Sequence, residues 1–181
     1  MGGCEVTADE VVALYSDSDT DNTVLAGYIY LLHGLALGLN CQLVFEIGVD
    51  GARSTHAFLS AMQQTGGRLV SCDVEDCSGR VTDPGLLAHW QFLHMSSIEM
   101  AQRVWHLPDL VYVNGCHSYE SVSADVEQFW PLVKPDGLMV LHDTRSMPSG
   151  PGRVAEEWGW KRVQMVEIPT LHGLAVLHKA A

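Results

Sequence analysis

Positive charge is scarce in this sequence. Ten Lys and Arg against 22 Asp and Glu leave a formal charge of -12 at pH 7, and no basic cluster offsets it locally. Such a field repels a phosphate backbone, which excludes nucleic acid as a partner. Cysteine is also sparse: the five (Cys4, Cys41, Cys72, Cys77, Cys116) are odd in number and never spaced C-x-x-C. That argues against a disulfide framework or a structural zinc, and for reduced thiols in the cytoplasm. The opening MGGCEVTADE lacks the basic and apolar regions of a signal peptide.

No apolar run is long and unbroken enough for a membrane span, which takes about 20 residues. The nearest, VLAGYIYLLHGLALGLNCQLVF at 24–45, is uncharged, but His33, Asn40 and Gln42 interrupt it, three glycines weaken it and no basic residues flank it. It reads as a buried helix followed by a first strand. The pattern G-x-G-x-x-G is missing as well, which counts against a nicotinamide-dependent oxidoreductase.

What the chain does have is 181 residues with 47% apolar and 18% charged side chains, enough for one domain with its own core. An acidic helix is expected around 7–15, then the polar connector SDSDTDNT with a cap at Thr23, then a helix over 24–38 stopped by Gly38 and Asn40. Residues 1–40 would form a cap or a dimer element of amino-terminal helices, and 41–181 the core. From there strands and helices alternate: QLVFEIG, then STHAFLSAMQQ; RLVSCD, then the short helix PGLLAHW; QFLHM, then a helix at 97–105; DLVYVN, then a helix at 119–131; GLMVLHD, then RVAEEWG; and a closing pair, KRVQMVEI and GLAVLHK. The strands are nearly continuous apolar runs, so the fold class is α/β, a mostly parallel sheet covered on both faces.

In such a sheet ligands bind at the carboxyl ends of the strands. Gly48 follows the first strand and lets backbone approach a ligand closely, with the next helix start facing it. Asp73 ends the second strand, where an acid either accepts from ribose hydroxyls or caps a turn. The fourth strand runs into NGCHSYE, where Asn114, His117, Tyr119 and Glu120 collect around Asn-Gly turn chemistry. Cys116 in that turn is a bystander, with no sequence neighbour to lower its pKa.

The blocks FEIGVDGARST, RLVSCDVED, DLVYVNGCHSYESVSADVEQFWPLVKPDGLMVLHDT and HGLAVLHK together resemble class I S-adenosylmethionine-dependent methyltransferases, in the branch of small-molecule O-methyltransferases and cephalosporin hydroxylase-like proteins. The resemblance implies a doubly wound, seven-stranded Rossmann-like sheet with a terminal antiparallel strand, and S-adenosylmethionine as cofactor. Glu46 and Gly48 would form the loop at its methionine end, with Ser54 and Thr55 at the helix start. Asp73 would hold the ribose, Met95, Ser96 and Ser97 would lie beside the adenine, and Asn114 would touch the cofactor from the fourth strand.

Asp143 and Asn114 occupy the positions that commonly hold a divalent cation, magnesium, in the resembling family. Asn114 replaces an acid there and removes one charge. His117, Asp143 and Asn114 are the catalytic candidates: His117 as the base that takes the acceptor proton, or alternatively as a side chain that shapes the turn. The loop RSMPSGPG at 145–152 would face the substrate. The function implied is methyl transfer to a hydroxyl of a small molecule, with a catalytically impaired cofactor-binding protein of the same fold as the alternative. A homodimer through the 24–38 helix is the one protein partner expected.

Overall fold

The computed structural model describes residues 22–161 and 163–181; the helix expected at 7–15 lies outside them. Helix α1 (Asn22–Gly38) leads to β1 (Leu43–Ile47) and α2 (Arg53–Thr65). β2 (Arg68–Asp73) and α3 (Pro84–Leu87) follow, then β3 (Trp90–His94) and α4 (Ser97–Arg103). The second half contains β4 (Leu110–Val113), α5 (Tyr119–Phe129), β5 (Leu138–His142), α6 (Arg153–Lys161), β6 (Gln164–Ile168) and β7 (Leu174–His178). Two boundaries depart from expectation for local reasons. Pro131 has no N–H to continue α5, so Trp130–Leu132 tightens into a 3-10 turn. Only Pro84–Leu87 of the short helix forms, because Trp90 and Gln91 are taken into the ladder with β2.

All seven strands form one sheet in the order β3-β2-β1-β4-β5-β7-β6. The first five are parallel, and β7 runs antiparallel between β5 and β6. The chain starts in the middle at β1, steps outward to β3, then crosses back to place β4 on the other side of β1. Their carboxyl ends therefore part at the switch point where α/β sheets bind ligands.

Strand alternation sorts the core into two layers. Val44, Leu110, Tyr112 and Val140 face α1 and α2 through Tyr28, Leu32, Phe58 and Met62. Phe45, Val111, Met139 and Leu141 face α4, α5 and α6 through Met100, Val126, Phe129 and Val154. At the amino ends of the strands the Asp109 carboxylate accepts from the Gln42 and Leu43 N–H groups at 2.8 and 2.9 Å and pairs with Lys134 at 2.5 Å. The opposite, carboxyl ends are left to the site. Among the described residues no helix is long and apolar enough to cross a membrane.

Candidate active site

A cavity of about 870 Å³ opens along the carboxyl ends of the strands, within the size range of small-molecule sites. Gly48 lines it with φ +89, donating its N–H to the Cys72 carbonyl at 2.9 Å. A Cβ there would fall on the Asn114 carbonyl oxygen. The absence of a side chain is what lets the tips of β1 and β4 approach. Four residues on, Ala52 holds φ 59 with its methyl buried. Alanine takes this left-handed turn at a cost of about 1 kcal/mol.

Asp73 lines the cavity and also organises its floor. Its Oδ2 accepts from the N–H groups of Val49 at 2.8 Å and Asp50 at 3.2 Å, and its Oδ1 from Glu75 at 3.0 Å. Burial raises the carboxyl pKa, but these N–H groups outweigh it and hold it below the ordinary value. Met95, Ser96 and Ser97 line the β3 end, with Ser96 capping α4 through a reciprocal bond with Glu99. Ser54 reaches the cavity from the first turn of α2.

Glu46 and Thr55 do not line the cavity. Side chains alternate along β1, so Glu46 shares the face of Val44 and points under α2, fully buried. There it accepts from Ser54 Oγ at 2.6 Å, Ser71 Oγ at 2.7 Å and Thr55 Oγ1 at 2.9 Å. It fastens the start of α2 to two strands behind the loop; its place is structural support, corrected from cofactor contact.

Burial raises the Glu46 carboxyl to about 7 in spite of the three hydroxyl donors. A raised folded pKa means stability that is present below the unfolded value near 4.5 and lost as pH rises through about 7. Glu46→Gln is therefore expected to flatten the stability profile. Between pH 4.5 and 7 the wild type should lose about 3 kcal/mol relative to the variant in urea titrations, and parallel profiles would refute the assignment.

At the β4 and β5 end three imidazoles converge on one carboxylate. His117 Nε2 lies 3.1 Å and His142 Nδ1 2.8 Å from Asp143 Oδ2, and His172 Nδ1 is 3.5 Å from Oδ1. Ser146 donates to Oδ1 at 2.5 Å. His142 Nδ1 also faces Asn114 Oδ1 at 3.1 Å, so this nitrogen carries a proton and ties the two strand tips together. Burial opposes ionisation of Asp143, but the bonds from His142 and Ser146 and the nearby imidazoles bring its pKa down to about 2. Asp143 itself adopts φ 59, a left-handed conformation held by these contacts. Among the described residues no three His, Cys, Asp or Glu side chains are arranged to hold a metal ion.

Asn114, His117 and Asp143 thus come together as expected, and the sequence reading missed their neighbours. Tyr28 of α1 lines the cavity with its ring 4.8 Å from that of His142, and His172 enters from the β6–β7 loop. Cys116 lines it too, exposed, its thiol held below the ordinary pKa by hydrogen bonds with Ser121 and Ser118. The loop at 145–152 does not face the cavity. It closes a π turn at Pro148–Gly152, where Gly150 packs on the His117 carbonyl and supports the turn after β4 from behind.

A family model described as a methyltransferase domain matches residues 45–144, from β1 to the cluster after β5. The chain belongs to this methyltransferase family. No curated protein matches it in sequence. Among solved structures it is similar to an O-methyltransferase from Bacillus cereus in complex with SAH, with TM-score 0.72, 16% identity, and coverage of 93% of this chain and 86% of that one. It is similar also to the O-methyltransferase TomG from Streptomyces achromogenes, involved in tomaymycin synthesis and solved with SAM, with TM-score 0.72, 16% identity, and coverage of 86% and 81%. MycE, the methyltransferase of the mycinamycin pathway solved with Mg, SAH and mycinamycin VI, aligns at TM-score 0.67 and 16% identity over 94% of this chain and 53% of its own. At such identity these likenesses establish the fold, the Rossmann-like methyltransferase sheet anticipated from the sequence.

Proposed function

We propose that this methyltransferase transfers the methyl group of S-adenosylmethionine to a hydroxyl oxygen of a small molecule. The observation that carries the reading is the single cavity wall shared by Gly48, Asp73, Asn114 and Asp143, the tips of β1, β2, β4 and β5. Asp73 and the Gly48 loop suit the ribose and methionine portions of the cofactor, and the imidazole cluster suits the acceptor. S-adenosylmethionine held there would supply an electrophilic methyl group, displaced in line by the acceptor oxygen with the carbon–sulfur electron pair leaving on sulfur, and His117 would take the acceptor proton. Alignment of the two reactants supplies much of the acceleration, and Asp143 orients the imidazole that takes the proton.

Magnesium, present in the MycE complex, suits this donor set poorly. A hard cation wants oxygen ligands and usually one or two free carboxylates. Here Asn114 supplies only an amide, and both oxygens of Asp143 already receive Ser146 and the imidazoles. The protein's own side chains therefore serve the proton transfer, and chelation of divalent cations should leave turnover unchanged.

Calorimetry with S-adenosylhomocysteine (SAH), followed by detection of SAH released from S-adenosylmethionine across a panel of hydroxylated acceptors, tests the reading. Tight SAH binding and turnover with a subset of acceptors are expected. Binding without turnover across the panel would favour a catalytically impaired binding protein, and no binding would remove the reading altogether.

A further inference from the structure

A second, smaller cavity of about 80 Å³ lies between α6 and the β6–β7 pair and shares no lining residue with the larger one. Ala155, Met165 and Ala175 give it an apolar wall, and Glu156 of α6 and Glu167 of β6, both exposed, bring two carboxylates to it. Neither carboxylate is paired with a cation among the described residues. Two unpaired anions beside one cavity repel each other, in a chain that already carries a charge of -12.

Thr144 supplies the observation that points to a ligand. It lines the same cavity at 7% exposure, and its Oγ1 is shut off from solvent with no hydrogen-bond partner among the described residues. The hydroxyl lies over Gly173, 2.6 Å from where a Cβ would stand, two residues before Ala175 of the cavity wall. A buried hydroxyl without a partner is costly. A cation in the cavity would engage its lone pair and offset the repulsion between the carboxylates at once.

We propose that this cavity binds an oxygen-coordinated divalent cation, held by Glu156, Glu167 and the Thr144 hydroxyl. Two carboxylates match its charge, and water completes the shell. The volume agrees: at about 30 Å³ per water, there is room for an ion with part of its hydration but not for a bulky organic cation. Calcium fits the donors best. It takes about six to eight oxygens in variable geometry, whereas magnesium demands a near-regular octahedron that two long side chains from separate elements do not prescribe. Such an ion would tie α6 and β6 to the segment after β5, and it stands apart from the cofactor reading.

Calorimetry with calcium chloride on the full chain, in about 0.15 M salt to screen loosely held ions, should show one site with Kd on the order of 0.1–1 mM, the range of weak calcium modules. Glu156→Gln and Glu167→Gln should each weaken it by about tenfold or more, because ligand charge sets such affinities. Glu127→Gln, an exposed acid on α5 outside the cavity, should stay within about twofold of wild type. Thr144→Val gives the sharper signature. Valine keeps the shape and removes the orphan hydroxyl, so the calcium-free variant should melt no lower than wild type while its calcium affinity falls by about threefold or more. No calcium binding in wild type, wild-type affinity in both cavity glutamine variants, or an equal loss in Glu127→Gln would overturn the assignment. Should Thr144→Val fail to fold, the glutamine variants decide. SAH binding and turnover play no part in this test, so its failure would leave the methyltransferase reading standing.

Discussion

Gly48→Ala should abolish measurable SAH binding and lower the unfolding free energy by about 3 kcal/mol or more, the range of severe backbone and packing lesions. Gly48 holds φ +89, where a side chain is strained whatever space surrounds it. Here there is no space. The new Cβ would overlap the Asn114 carbonyl oxygen and lie 2.7 Å from its carbon and 2.9 Å from the Gly115 nitrogen. These are main-chain atoms at the tip of β4 and cannot rotate away. The Asn114 N–H donates to Ile47 O at 2.8 Å, so pushing β4 aside breaks the ladder that defines the switch point. Gly51→Ala is the matched control. It lies in the same loop, where an added methyl group would meet nothing within 4 Å, and should stay within about 0.5 kcal/mol of wild type. Urea titration and calorimetry on the pair give the answer, and a Gly48→Ala variant that still binds SAH normally would show that the β1–β4 cleft is not the cofactor site.

The strands were legible because burial on both faces demands near-continuous apolar runs, and LVFEI, RLVSCD and LVYV each supply one. The tip residues followed from the strands: once β4 ends at Val113 and β5 at His142, Asn114 and Asp143 must emerge at the same edge. Glu46 misled because resemblance fixed its position in the chain but not the direction of its side chain. Strand alternation, applied to β1 with Val44 inward against α2, would have sent it behind the loop. Tyr28 and His172 were beyond reach for another reason. Their neighbours in space lie far off in sequence: Tyr28 meets His142 across 114 residues, and His172 meets Asp143 across 29. With nine histidines in the chain and no ligand spacing among them, nothing local singled out His172.

His117→Ala is expected to slow methyl transfer by about 10²- to 10⁴-fold, the contribution of a positioned general base, with SAH affinity unchanged. The Gly48 loop and Asp73 follow β1 and β2, apart from the imidazole, and His142 and Ser146 still hold Asp143 when His117 is gone. The loss should therefore fall on kcat and spare cofactor binding. The rival role, shaping the turn, makes a different forecast. Turn shape depends on the main chain here: Gly150 packs against the His117 carbonyl, and Ser118 caps α5 by accepting from the Ser121 N–H. Neither contact needs an imidazole. His117→Gln keeps a hydrogen-bonding side chain beside Asp143 but cannot take up a proton, so it should be as slow as alanine. If glutamine restores turnover while alanine does not, His117 positions the loop and another group removes the acceptor proton.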